Sequence, residues 1–141
     1  MLVLAVVSAT GLILVDRLTK VAVARWLAPA SVRVLAPGVR LAHIRHRLRA
    51  WNVRRQRVGL VALFAGTIAT IAWLASVGLF FGSPLAAVGL GLAVAGASSN
   101  LWDRLHDHRF VDFICVGRWP AFNVADAGVC VGAVLALWHL T

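Results

Sequence analysis

Residues 58–81 form an apolar stretch of 24 residues with no charged side chain, and this stretch limits the folds open to the chain. A helix of about 20 apolar residues spans the hydrocarbon core of a bilayer. The composition agrees, because 61% of the 141 residues are hydrophobic, only 13% are charged and the mean hydropathy is +0.87. Soluble domains have an apolar share of about 45–50%. The chain is therefore predicted to be one membrane domain covering residues 1–141.

Three further stretches are long enough, or nearly so, to span a bilayer, which predicts four transmembrane helices at about 2–23, 58–81, 85–101 and 122–140. Helices are expected because backbone groups in lipid must be paired within their own segment. Pro84 follows Gly82 and Ser83 in a predicted tight turn and is placed to open the third helix. The first helix is predicted to be retained, since Asp16, Arg17 and Lys20 stand where a signal peptide would have its cleavage region.

Small residues in the third stretch, among them Gly89, Gly91 and Gly96, predict a face for close helix packing.

The long connections 28–57 and 104–121 lie at one end of the predicted bundle, which makes that end the polar one. All fourteen Lys and Arg residues lie there, eight of them within residues 28–57. The positive-inside rule would place this end in the cytoplasm. The Arg-rich loop 33–57 is predicted to contact anionic lipid headgroups. Nucleic acid is not expected as a partner, because no aromatic-basic binding module is evident.

Five acidic residues, all aspartates, must be explained in so apolar a chain. Asp16 and Lys20 are four positions apart on one helix face, where they can neutralise each other. Asp103 lies near the C-terminal end of a helix, where the helix dipole disfavours a negative charge, so Arg104 or Lys20 is expected to compensate it. A purely structural role remains open for these residues.

Asp112 and Asp126 lie in the stretch "RFVDFICVGRWPAFNVADAG". "NVAD" resembles a capping box, in which Asn123 would cap the fourth helix and Asp126 would lie near its free amides. Asp112 lies in "FVDFI", whose alternation is compatible with an extended strand. A return of the chain at Trp119 would bring Asp112 beside Asp126. Two neighbouring carboxyl groups share a proton and can act as general base and general acid, which is the chemistry of an aspartic protease.

Four motifs in the order "VDRLTK", "SSNLWDRL", "FVDFI" and "WPAFNVADAG" resemble those of the lipoprotein signal peptidase family, also called signal peptidase II. The resemblance implies an all-α membrane protein with four transmembrane helices and a small extended extracytoplasmic element between helices 1 and 2. It implies an aspartic endopeptidase of the bacterial cytoplasmic membrane, with its catalytic end outside the cytoplasm. The implied substrate is a diacylglyceryl-modified prolipoprotein, cut before its lipidated cysteine.

By the same resemblance Asp112 and Asp126 are the catalytic pair, and no metal or cofactor is required. His43 and His46 alone are too few for a metal site. The resemblance also implies residues that brace the site or bind substrate: Asp16, Lys20, Asn100, Asp103, Arg104 and Asn123.

One motif of the family departs from its pattern in this chain. An Asn-x-Gly-Ala-Ala-Phe stretch is expected after the first helix, but His46 replaces its Asn, Trp51 lies near the Phe position and the glycine is missing. Two alternatives therefore stay open. One is a non-catalytic or substrate-altered paralogue that binds lipoprotein or lipid. The other is a basic membrane adaptor whose arginines recruit an acidic partner.

Overall fold

A computed structural model describes residues 1–28, 31–47, 58, 61–62, 64–66, 68–69, 83–106 and 109–138. In chain order the elements are helix α1 (Leu2–Trp26), strands β1 (Val32–Ala36) and β2 (Val39–Arg47), helix α2 (Pro84–His106), strand β3 (Arg109–Val116) and helix α3 (Val124–Trp138). The described positions between 58 and 69 are helical, and the rest of the predicted helix 58–81 lies outside the described residues.

Helix α2 begins at Pro84, as the turn chemistry predicts, but it ends later than the apolar pattern suggests. The predicted segment stops at residue 101, whereas the helix continues through Asp103 to His106. Hydropathy marks where a segment leaves an apolar environment, and charged residues do not by themselves end a helix.

Glycines allow α2 to pack directly against α1 and α3. A Cβ atom on Gly89 would lie 2.5 Å from the backbone nitrogen of Ala136 and 2.6 Å from the carbonyl oxygen of Gly132, both in α3. A Cβ atom on Gly91 would overlap Ser8 of α1. The helix backbones are therefore too close for any larger residue, and the predicted packing face is confirmed at these positions.

Large apolar side chains of α1 are exposed, while three charged side chains of α1 and α2 are buried. The large hydrophobic side chains that α1 exposes by more than half include Leu2, Val3, Val7 and Leu18. Asp16, Lys20 and Asp103 are buried. Two helical segments of the described chain, Leu2–Trp26 and Pro84–Asp103, are long and apolar enough to cross a bilayer by length and composition. An outward apolar surface of this kind is suited to lipid.

The three strands form one antiparallel sheet in the order β1-β2-β3. Pro37 and Gly38 make the turn between β1 and β2, where Gly38 has a φ of 80°, in the left-handed region that favours glycine. Strand β3 comes from the connection between α2 and α3 and pairs with β2 from Val39↔Val116 to Arg47↔Arg109. The molecule is therefore mostly helical rather than all-α.

The sheet is larger than the predicted extended element, which included only the chain between the first two helices. A two-stranded hairpin alone is marginal in stability, and the third strand stabilises it by adding a second ladder of backbone hydrogen bonds.

Candidate active site

The predicted capping box is present at the start of α3. The backbone N–H of Asp126 donates to Oδ1 of Asn123 at 3.0 Å, and the backbone N–H of Asn123 donates to Oδ2 of Asp126 at 3.1 Å. These two reciprocal bonds satisfy backbone donors that have no partner within the helix. They also fix the side chains of both residues at the N-terminal end of α3.

A tight return of the chain brings β3 to this helix end. Gly117, with a φ of 54°, lies in the turn that follows β3. Phe122 then pairs with Ile114, since each backbone N–H donates to the other's carbonyl oxygen at 3.0 and 2.9 Å. This pairing places Asn123, the next residue, near Asp112. The amide Nδ2 of Asn123 donates to Oδ1 of Asp112 at 2.9 Å.

Asn100 joins the same group from α2. Its Nδ2 donates to Oδ1 of Asp126 at 2.7 Å, and its Oδ1 accepts a bond from Nδ2 of Asn123 at 3.3 Å. Asp112 and Asn123 are buried, while Asn100 and Asp126 are partly exposed. The two carboxyl groups are therefore linked through asparagine side chains in one polar cluster. This cluster is exposed to its surroundings at Asp126 and Asn100 and closed at Asp112.

A second cluster of buried charges lies beside the first. Nζ of Lys20 is 2.6 Å from Oδ2 of Asp16 and 2.6 Å from Oδ2 of Asp103. Nη1 of Arg17 is 2.8 Å from Oδ1 of Asp103. Two carboxylates and two cations balance, so the cluster carries no net charge. The expected pairing of Asp16 with Lys20 is present, and Lys20 also compensates Asp103, as one of the two expected partners.

Asp16 connects the two clusters. Its Oδ1 accepts the backbone N–H of Ala125 in α3 at 3.0 Å, and its Oδ2 accepts the hydroxyl of Ser99 in α2. Its side chain is fully buried. One carboxylate of α1 therefore contacts both α2 and α3 at the level of Asp126.

The described structure does not include the side chains of some predicted residues. For Arg104, the structure describes the backbone on α2 and not the side chain. The same holds for His43 and His46 on β2, while Trp51 lies outside the described residues. Among the residues that are described, no group of three or more His, Cys, Asp or Glu side chains is arranged to hold a metal ion.

Sequence reasoning missed two residues that contact the buried aspartates. Arg17 precedes Lys20 by three positions, so helical spacing already places both cations on one face of α1. That spacing could have identified Arg17 as a partner of Asp103. Ser99 had no comparable signal, because its partner Asp16 lies 83 positions away.

Comparison with known proteins agrees with the resemblance to the signal peptidase II family. The family model described as "Signal peptidase (SPase) II" matches residues 8–141. The chain belongs to the signal peptidase II family. Similar proteins named "Lipoprotein signal peptidase" occur in Mycobacterium avium and Mycolicibacterium smegmatis. The Mycobacterium avium protein is 38% identical over 92% of this chain and 73% of its own length. The Mycolicibacterium smegmatis protein is 36% identical over 90% of this chain and 56% of its own length.

A third such relative, from Rhodococcus jostii, is 34% identical over 85% of this chain and 63% of its own length. The chain thus spans little more than half the length of some relatives in its family and nearly three quarters of others.

Two solved structures described as a bacterial membrane enzyme share the fold. They superimpose with TM-scores of 0.77 and 0.78 at 21% identity, and each covers 96% of this chain. The match covers 86% and 91% of those two chains. Together with the apolar helices, family membership identifies this signal peptidase II relative as an integral membrane protein.

Proposed function

We propose that this chain is an aspartic endopeptidase that removes signal peptides from diacylglyceryl-modified prolipoproteins, cutting before the lipidated cysteine. The observation that supports the proposal best is the link between Asp112 and Asp126 through Asn123 and Asn100 at the start of α3. Relatives with the name "Lipoprotein signal peptidase" support the substrate class.

In the proposed mechanism Asp126 is the general base. Its carboxylate accepts hydrogen bonds from Asn100 and from the backbone of Asn123, and it lies in the first turn of α3. Donors and a helix N-terminus both stabilise a negative charge there. Asp112 then holds the proton that the pair shares, since neighbouring carboxyl groups do not both ionise easily.

The reaction follows from these protonation states. Asp126 takes a proton from a water molecule, whose oxygen attacks the carbonyl carbon of the scissile peptide bond. Asp112 gives its proton to the carbonyl oxygen, which forms a neutral tetrahedral intermediate. The C–N bond then breaks as the nitrogen takes a proton from Asp126 and the carbonyl returns its proton to Asp112. No metal or cofactor takes part in this scheme.

The remaining predicted residues support the pair in the proposal. Asn100 and Asn123 orient the two carboxyl groups directly, while Asp16, Lys20 and Asp103 brace the helices below them. Arg104 is assigned the same bracing role from its motif.

We also propose the placement of the protein in the membrane. Four transmembrane helices cross the bacterial cytoplasmic membrane, and the end that carries the sheet and the aspartate pair faces outward. The Arg-rich loop 33–57 would then lie against anionic headgroups of the outer leaflet. A maleimide that cannot cross membranes should label a cysteine placed at the exposed Arg118 in intact spheroplasts. Labelling only after lysis would reverse the proposed orientation.

Cleavage of a lipidated prolipoprotein by the purified protein in micelles tests the activity. Asp112→Asn and Asp126→Asn should each lower turnover by roughly 10²- to 10⁴-fold, the usual contribution of a general acid or base. The fifth aspartate of the chain, Asp107 in the connection 104–121, has no assigned role, so Asp107→Asn makes the same chemical change and should leave turnover unchanged.

Turnover by the wild type would also show that His46 and Trp51 are compatible with substrate recognition. A wild type that binds the substrate without cutting it would instead favour the non-catalytic paralogue.

A further inference from the structure

Two consecutive residues of α2 reach two different helices at the level of the aspartate pair. Asn100 bonds to Asp126 in α3, and Ser99 donates its hydroxyl to Asp16 in α1. Asp16 in turn accepts the backbone N–H of Ala125 in α3. These bonds connect α1, α2 and α3 in a ring. The ring closes at the start of α3, where Ala125 and Asp126 are adjacent in sequence.

The start of α3 therefore has two caps of different origin. Asn123 is local and accepts the backbone N–H of Asp126. Asp16 is remote, since it lies 109 positions from the residue whose N–H it accepts, Ala125. The first amides of a helix have no partner within it, so each such acceptor helps to fix the position of that helix end.

Lys20 alone does not direct Asp16 towards α3. Its Nζ is the same distance, 2.6 Å, from Asp16 and from Asp103, so it attracts both carboxylates equally. Both Lys20 and the Ser99 hydroxyl contact Oδ2 of Asp16, which leaves Oδ1 for Ala125, but the Ser99 hydroxyl donates to Asp16 alone. Ser99 is 4% exposed, so water does not readily replace this hydroxyl.

We propose that Ser99 is a positioning residue for the aspartate pair. Its hydroxyl fixes the orientation of Asp16, Asp16 caps Ala125, and the capped helix end holds Asp126 in place for reaction. This inference rests on the proposed function for its catalytic consequence, while its structural step can be tested without turnover.

Ser98 provides a matched control for this proposal. It is the same residue type one position earlier, but its hydroxyl donates to the carbonyl oxygen of Val94 within its own helix, at 2.7 Å. Ser98→Ala and Ser99→Ala remove the same atoms from α2. Only Ser99→Ala removes a bond to another helix.

The experiment measures turnover and amide hydrogen exchange on the full chain in micelles. Ser99→Ala should lower kcat by about three- to tenfold, the effect of one interhelical hydrogen bond, and leave KM unchanged. The exchange of the Ala125 amide should rise by a similar factor, with little change in the later turns of α3. Ser98→Ala should change neither quantity, and Ser99→Thr, which keeps the hydroxyl, should restore both.

Each contrary result has a defined meaning. Equal kcat or equal Ala125 exchange in Ser99→Ala and Ser98→Ala would overturn the proposal, as would faster exchange along the whole of α3, which indicates general loosening. If the wild type does not cleave the substrate, the proposed function fails, and the Ala125 exchange in the two alanine variants still decides the role of Ser99. If Ser99→Thr does not fold, the comparison of the alanine variants decides.

Discussion

Removal of the Lys20 charge is the perturbation whose cost follows most directly from the structure. Lys20 is the cation that Asp16 and Asp103 share, at 2.6 Å from each. Lys20→Met keeps an unbranched side chain of similar length and removes the ammonium group. Asp103 would keep Arg17, whereas Asp16 would keep only its neutral donors.

The expected loss is large because Asp16 is fully buried. Breaking a buried ion pair by removing one partner costs about 3–5 kcal/mol of unfolding free energy. The lower part of this range is expected here, since Ser99 and the Ala125 amide still donate to Asp16. Asp16→Asn in the Lys20→Met background removes the uncompensated charge and should recover roughly 1–3 kcal/mol.

Unfolding of the purified protein by titration with SDS measures these free energies. Arg25→Met is the control, because Arg25 is an exposed cation in the last turn of the same helix and should cost at most about 1 kcal/mol. A Lys20→Met variant within 1 kcal/mol of the wild type would refute the reasoning. Strict additivity of Lys20→Met and Asp16→Asn would refute it as well.

Three further predictions concern packing, capping and the lipid-facing surface. Gly89→Ala should cost about 1–3 kcal/mol in the same SDS titration, because its Cβ would lie 2.5 Å from a backbone atom of α3. Gly11→Ala, with nothing within 4 Å, should instead be neutral or stabilising by up to about 1 kcal/mol. Asn123→Ala should lower the unfolding free energy by about 0.5–2 kcal/mol and also abolish cleavage, as a paired stability and turnover assay would show. The exposed thiol of Cys130 should not react with a charged maleimide in vesicles but should react after unfolding in SDS, whereas labelling in vesicles would place it in water.

Local patterns in the sequence predict the parts of the site that depend on near neighbours. The capping box of Asn123 and Asp126 follows from four consecutive residues, and the structure has both of its bonds. The pairing of Asp16 with Lys20 follows from helical spacing in the same way. The extended form of the chain around Asp112 follows from alternation of side chains.

Most contacts between distant residues were not available from such patterns, although the unfavourable helix dipole at Asp103 did indicate Lys20 as one possible partner. Nothing near Ser99 indicates a bond to a residue 83 positions earlier. The pairing of β3 with β2 joins two connections that are separated by more than 60 positions, and many registers fit the alternation equally well. The motif resemblance compensated for this limit by naming residues together, but it assigned no role to Arg17, which lies in "VDRLTK" and pairs with Asp103.

The hydrogen bonds of Asn123 restrict which amino acid this position can hold. Its side-chain oxygen caps α3, while its side-chain nitrogen donates to Asp112 and to Asn100. Aspartate would preserve the cap but would place a third carboxyl group against the pair, and serine would preserve the cap without reaching both acceptors. Asn123→Asp would therefore leave α3 capped and folded, with an altered site. Exchange of one side-chain atom at this position would then impair the proposed cleavage reaction without unfolding the protein.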